Sequence, residues 1–137
     1  MSAWNVALLA ATGVHAGFQA TVTVLVYPAL ARVRVEDWST THDAHSRSIT
    51  PLVAVVYGAA VVSAGGALWQ SPGAAGVWVA ALGTAGAVLV TATAAAPTHG
   101  RLGRGRTPEL VARLLVADRL RLGCAVLALA GAVVATA

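Results

Sequence analysis

The chain alternates long apolar runs with short polar connections. Apolar stretches cover about residues 4–30, 49–69, 74–96 and 114–136. Each approaches the roughly 20 residues a helix needs to cross ~30 Å of hydrocarbon. Helix 2 is expected to start ahead of its apolar run, near Thr40, and helix 4 near residue 108. At that second start Thr107 suits an N-cap, Pro108 the first helical position, and Glu109 the positive end of the helix dipole. Ser71-Pro72-Gly73 reads as a turn, and Pro97 as the stop of the third span. The pattern predicts an all-α fold, an integral membrane antiparallel four-helix bundle that takes residues 1–137 as a single transmembrane domain. The N-terminal run is too long for the apolar core of a signal peptide and lacks a basic segment before it, so it reads as a retained span.

Charge fixes the expected orientation. All nine basic residues are arginines, and they fall between Arg32 and Arg47 or between Arg101 and Arg121. Both clusters lie on one face of the predicted bundle. By the positive-inside rule that face is cytoplasmic and both termini are extracytoplasmic, in a cell (inner) membrane. Trp4, Trp38, Trp69 and Trp78 fall near span ends, where amphipathic rings collect. Hydrophobic residues make up 58% of the chain, too many for a soluble domain of 137 residues, so the lipid bilayer is the expected partner. The pI near 10.7 is then explained by topology and headgroup contacts, and no nucleic-acid partner is expected. Cys124 is the lone cysteine, which excludes an intrachain disulfide.

Polar side chains inside the runs carry the candidate chemistry. Thr12, His15, Gln19, Thr23 and Tyr27 recur at helical spacing and share one face of the first span. Such groups are costly in lipid unless they pair inside the bundle or face a wet cavity. This stripe, with His15, Gln19 and Tyr27, reads either as interhelical packing or as the lining of a pocket open toward the arginine face. His42 and His45 stand three residues apart on helix 2, a spacing at which two helical imidazoles can share a metal, and topology puts His99 on the same membrane face. A metal site of His42, His45 and His99 is therefore expected, with Asp43, Glu109 or Asp118 as further ligand or support. Iron or copper suits imidazole with carboxylate, and zinc is not excluded. Asp118, with Asp43, is the candidate for orienting a ligand or shuttling a proton. Arg119 and Arg121 are the candidates for gripping a polar substrate group. The chain has no P-loop, GxSxG, CxxC or HExxH, and its Gly100–Gly105 segment lacks the strand a dinucleotide site needs.

The order of Gln19, Tyr27-Pro28, Trp38, His42, Pro97, His99, Leu102, Arg119 and Arg121 resembles small four-span bacterial membrane proteins that include the anthrone-oxygenase-like domain. The resemblance covers most of the chain. It implies a four-span bundle and oxygenase-type activity. This chain departs in having His99 where that pattern has Asn, and Leu115 to Ala117 where it has a Trp before the last Arg. The expected function is a membrane-embedded, metal-dependent oxidoreductase or oxygenase acting on a small lipophilic substrate at the cytoplasmic face. The first alternative is a scaffold, carrier or complex subunit, whose glycine-rich spans suit tight packing or a homo-oligomer. The second is a haem protein using His42, His45 or His99 near the arginines.

Overall fold

The computed structural model describes residues 2–137, and all regular structure among them is helical. Four helices are long and apolar enough to cross a membrane: α1 (Ala3–Ala31), α2 (Trp38–Gln70), α3 (Ala75–Leu102) and α4 (Pro108–Thr136). They mark a multi-pass membrane protein. Large apolar side chains such as Val14, Leu25, Val55, Leu82 and Val134 stand exposed on the outside. That outward greasiness is the reverse of a soluble bundle and is what lipid requires. Ser2 caps α1 by accepting from the Asn5 amide, and Thr107 caps α4 by accepting from the Leu110 amide at 3.3 Å. In both cases a side-chain oxygen satisfies a backbone N–H that the first turn leaves orphaned.

One end of the bundle gathers the start of α1, the 71–74 turn and the end of α4. There the Asn5 side-chain amide donates to the Ala135 carbonyl at 3.1 Å. Leu8, Ala64, Ala67, Val77, Ala80 and Ala132 form a tight apolar core just inside. The seam between α3 and α4 is built on small residues. A methyl group on Gly83 would stand 2.6 Å from the Ala128 nitrogen, and one on Gly76 would stand 2.6 Å from the Ala135 nitrogen. Backbones that close gain dispersion contacts along the seam, the main attraction available to helices whose solvent is itself apolar.

The other end carries the arginines, and two helices change their winding there. α1 contains a π-helical turn over Val22–Val26, and α3 one over Thr91–Ala95. Each precedes a proline. The Tyr27 N–H bonds back to the Val22 carbonyl just before Pro28, and the Ala96 N–H to the Thr91 carbonyl just before Pro97. Proline supplies no N–H and crowds the carbonyl four residues back, and one wider turn relieves both problems. α3 therefore continues past Pro97 to Leu102, where the sequence suggested a stop. The extra turn carries Thr98 and His99 onward as helix. Pro51 sits inside α2 with the helix unbroken. The connections shrink accordingly to residues 32–37 and 103–107.

Candidate functional site

The polar stripe of α1 faces inward. Thr12, His15 and Gln19 are all at most 1% exposed. Gln19 meets α4: its amide nitrogen donates to Asp118 Oδ1 at 2.7 Å. The same carboxylate oxygen accepts from Arg121 Nη2 at 3.0 Å, one turn further along α4. Asp118 is 1% and Arg121 4% exposed, so this is a buried ion pair. Such a pair is tolerated only when it is mutual and hydrogen-bonded, because either charge alone would face a large desolvation cost. Tyr57 of α2 donates to Gln19 Oε1 at 3.3 Å, and Thr91 of α3, whose hydroxyl donates to the Ala87 carbonyl at 2.8 Å, lies 3.4 Å from the Tyr57 oxygen. All four helices thus contribute to one network.

The network runs on toward the arginine end. Arg121 Nη2 also donates to the Tyr27 hydroxyl at 3.1 Å, and that hydroxyl lies 2.9 Å from His99 Nε2. His99 Nδ1 is 3.2 Å from His42 Nε2. His42 in turn stacks on Trp38, and its Nδ1 lies 3.7 Å from the exposed Asp43 carboxylate. The tautomers are assigned by satisfying each group. A Tyr27 oxygen that accepts from Arg121 gives its own hydrogen to His99 Nε2. His99 then carries its proton on Nδ1 and donates to His42. Trp38 anchors this end, donating from Nε1 to the Leu102 carbonyl at 2.9 Å under the Arg106 guanidinium. Tyr27 follows directly after one π-helical turn, and His99 stands about one helical turn beyond the other.

The three histidines predicted as metal ligands do come together at the arginine end. The rings of His42 and His99 are 5.4 Å apart between centroids, and those of His45 and His99 6.0 Å. Their nitrogens, however, do not aim at a common point. Both nitrogens of His99 are taken by His42 and Tyr27, and His45 lies stacked on His99 rather than beside it. Among the described residues, no three His, Cys, Asp or Glu side chains are grouped so as to hold a metal ion. The donor set therefore does not fit iron, copper or zinc as it stands.

Beside the network, a cleft of about 290 Å³ lies between α2 and α3. Ile49, Val53, Ala95 and Ala96 supply apolar walls, Ser46, Thr50 and Thr91 hydroxyls, and His99 and Arg121 the ionisable groups. Thr50 and Ala96 are exposed, so the cleft opens on the outer surface of the bundle. Several buried polar atoms in this region have no partner, including Ser46 Oγ and Arg121 Nε.

The remaining candidates divide. His15 is fully buried against Tyr57, with ring centroids 4.4 Å apart and both nitrogens unpaired. Asp43 is exposed beside His42, and Arg119 is exposed on the outer face of α4, away from the network. Sequence reasoning passed over Tyr57 and Thr91. A tyrosine in the middle of an apolar run carries a hydroxyl that lipid cannot satisfy, and that was the available signal. Comparisons with family models, with curated proteins and with solved structures find no match to this chain.

Proposed function

We propose that the chain is a membrane enzyme that moves a proton on a small lipophilic substrate held in the cleft between α2 and α3. The observation that carries this reading is one hydrogen-bonded series from His42 through His99, Tyr27, Arg121 and Asp118 to Gln19 and Tyr57, passing beside the cleft, with the Asp43 carboxylate 3.7 Å from the far nitrogen of His42. In this reading the helices form an antiparallel bundle, with the arginine-rich loops cytoplasmic and both termini on the opposite side, as the positive-inside rule requires. Substrate enters from the bilayer through the cleft mouth at Thr50 and Ala96.

His99 is the base. The substrate displaces the Tyr27 hydroxyl from Nε2, and His99 takes the substrate proton there while passing its Nδ1 proton to His42. The exposed Asp43 carboxylate, 3.7 Å from His42 Nδ1, offsets the positive charge that His42 then carries. Arg121 lies ready for negative charge developing on a substrate oxygen, in a site where low dielectric strengthens the interaction. Asp118 and Gln19 hold Arg121 in place. Gly76, Gly83 and Gly131 serve the α3–α4 seam inside the chain, so these three glycines give the scaffold reading no support.

The test is deuterium exchange. Protein in liposomes is incubated in D2O with a lipophilic extract of cells, and the extract is surveyed by mass spectrometry. At least one lipophilic compound should gain deuterium with the native chain and not with His99→Ala. An extract left unaltered by the native chain, or altered equally by the variant, would contradict the proposal.

A further inference from the structure

The cleft's unpartnered donors and its charge balance define the head group of the molecule it takes. We infer that the cleft binds an uncharged carbonyl compound with a single apolar body, and discriminates against a lipophilic carboxylate. This rests on the reading of the cleft as a substrate site and adds the class of substrate.

Two buried donors that line the cleft have no acceptor: Ser46 Oγ and Arg121 Nε. Arg121 is 4% exposed. A buried N–H or O–H without a partner is costly, so the site is built for something that accepts. A carbonyl oxygen offers two lone pairs and no hydrogen, which matches two donors.

Charge decides between the candidate acceptors. The positive charge of Arg121 is already met by Asp118 at 3.0 Å, inside the protein. A carboxylate in the cleft would be a second anion against one cation in a low-dielectric setting, and it would meet Asp118 as a like charge. A ketone, ester or quinone carbonyl collects the same hydrogen bonds with no net charge to desolvate. An ammonium group has no lone pair to offer either donor and would place a second cation beside Arg121. The walls fit an apolar body. Ile49, Val53, Ala95 and Ala96 line the cleft, and its volume of about 290 Å³ sits at the small end of ligand pockets. A longer body would pass between α2 and α3 into lipid.

The experiment uses the full chain in lipid bilayers with 2-undecanone labelled with ¹³C at the carbonyl. Undecanoate and undecane serve as competitors. Infrared difference spectra should show a saturable second carbonyl band, lowered in frequency by hydrogen bonding, beside the band of ketone dissolved in lipid. Ser46→Ala should weaken binding about three- to tenfold through loss of one hydrogen bond. Ile49→Trp, which fills the cleft and leaves the ion pair intact, should remove the band. Undecanoate at neutral pH should compete poorly. Absence of the lowered band, its survival in Ile49→Trp, or undecanoate displacing the ketone at lower concentration would each overturn the inference; the first outcome means that the two donors are served by water alone. The measurement involves no turnover. A cleft that fails to bind ketone while His99-dependent deuteration persists would refute the carbonyl assignment alone, and bound ketone with no deuteration of any lipophilic compound would refute the catalytic reading alone.

Discussion

Replacing Asp118 by alanine isolates the interaction on which the interior depends. Oδ1 accepts from Gln19 at 2.7 Å and from Arg121 at 3.0 Å, and neither charged side chain is more than 5% exposed. Asp118→Ala leaves the Arg121 guanidinium buried without its counter-charge, a change that costs about 3–5 kcal/mol in buried pairs. Arg121→Ala strands the carboxylate and should cost a similar amount. The double variant removes both charges together and should cost well under the sum of the two, a coupling of about 1–3 kcal/mol. The assay is reversible unfolding in mixed micelles titrated with dodecyl sulfate, followed by the fluorescence of the four tryptophans. A loss below about 1 kcal/mol for Asp118→Ala, against the 3–5 kcal/mol expected, would refute the claim that the pair is desolvated. So would a double variant whose loss equals the sum of the single ones.

Tyr27→Phe removes the hydroxyl that the substrate must otherwise displace from His99 Nε2, so His99-dependent deuteration should persist while stability falls by about 1 kcal/mol. Gly83→Ala should cost about 1–3 kcal/mol by overpacking the α3–α4 seam. Gly58→Ala, with open space around the added methyl, should be neutral or stabilising in the same unfolding assay. Activity should survive exhaustive chelation, since both nitrogens of His99 are engaged by His42 and Tyr27; loss on chelation and recovery with iron or copper would restore the metal reading. A cysteine placed at Ser71 should react with an impermeant thiol reagent from outside intact cells and one at Arg104 should not, and the reverse pattern would invert the proposed topology.

Much of this architecture was legible because lipid constrains sequence so strongly. Four apolar runs with arginines confined to two clusters, in the connections and the helix ends beside them, leave few arrangements open. The inward face of α1 was legible for the same reason: Thr12, His15 and Gln19 can share a helix face in hydrocarbon only if something in the interior receives them. What could not be read was the partner of each group. Gln19 and Asp118 are far apart in sequence, and nothing local in either run points to the other. The π-helical turns were also hidden. Pro97 is equally compatible with an end and with a widened turn, and only packing of Thr98 and Leu102 into the bundle decides for continuation. The histidine cluster illustrates the limit most plainly. The spacing of His42, His45 and His99 brings three rings together, but whether nitrogens converge on a metal or bond one another depends on side-chain rotation that spacing does not encode.

The most direct test of the account is a nitrogen–nitrogen correlation between His42 and His99. Solid-state NMR of histidine-labelled protein in bilayers should give a cross-peak between His42 Nε2 and His99 Nδ1, as their 3.2 Å separation requires. It should vanish in His42→Ala, and the His99 Nε2 shift should move when ketone fills the cleft. Histidine nitrogens that show no mutual contact, or that respond to added metal and not to ketone, would contradict the relay and the function built on it.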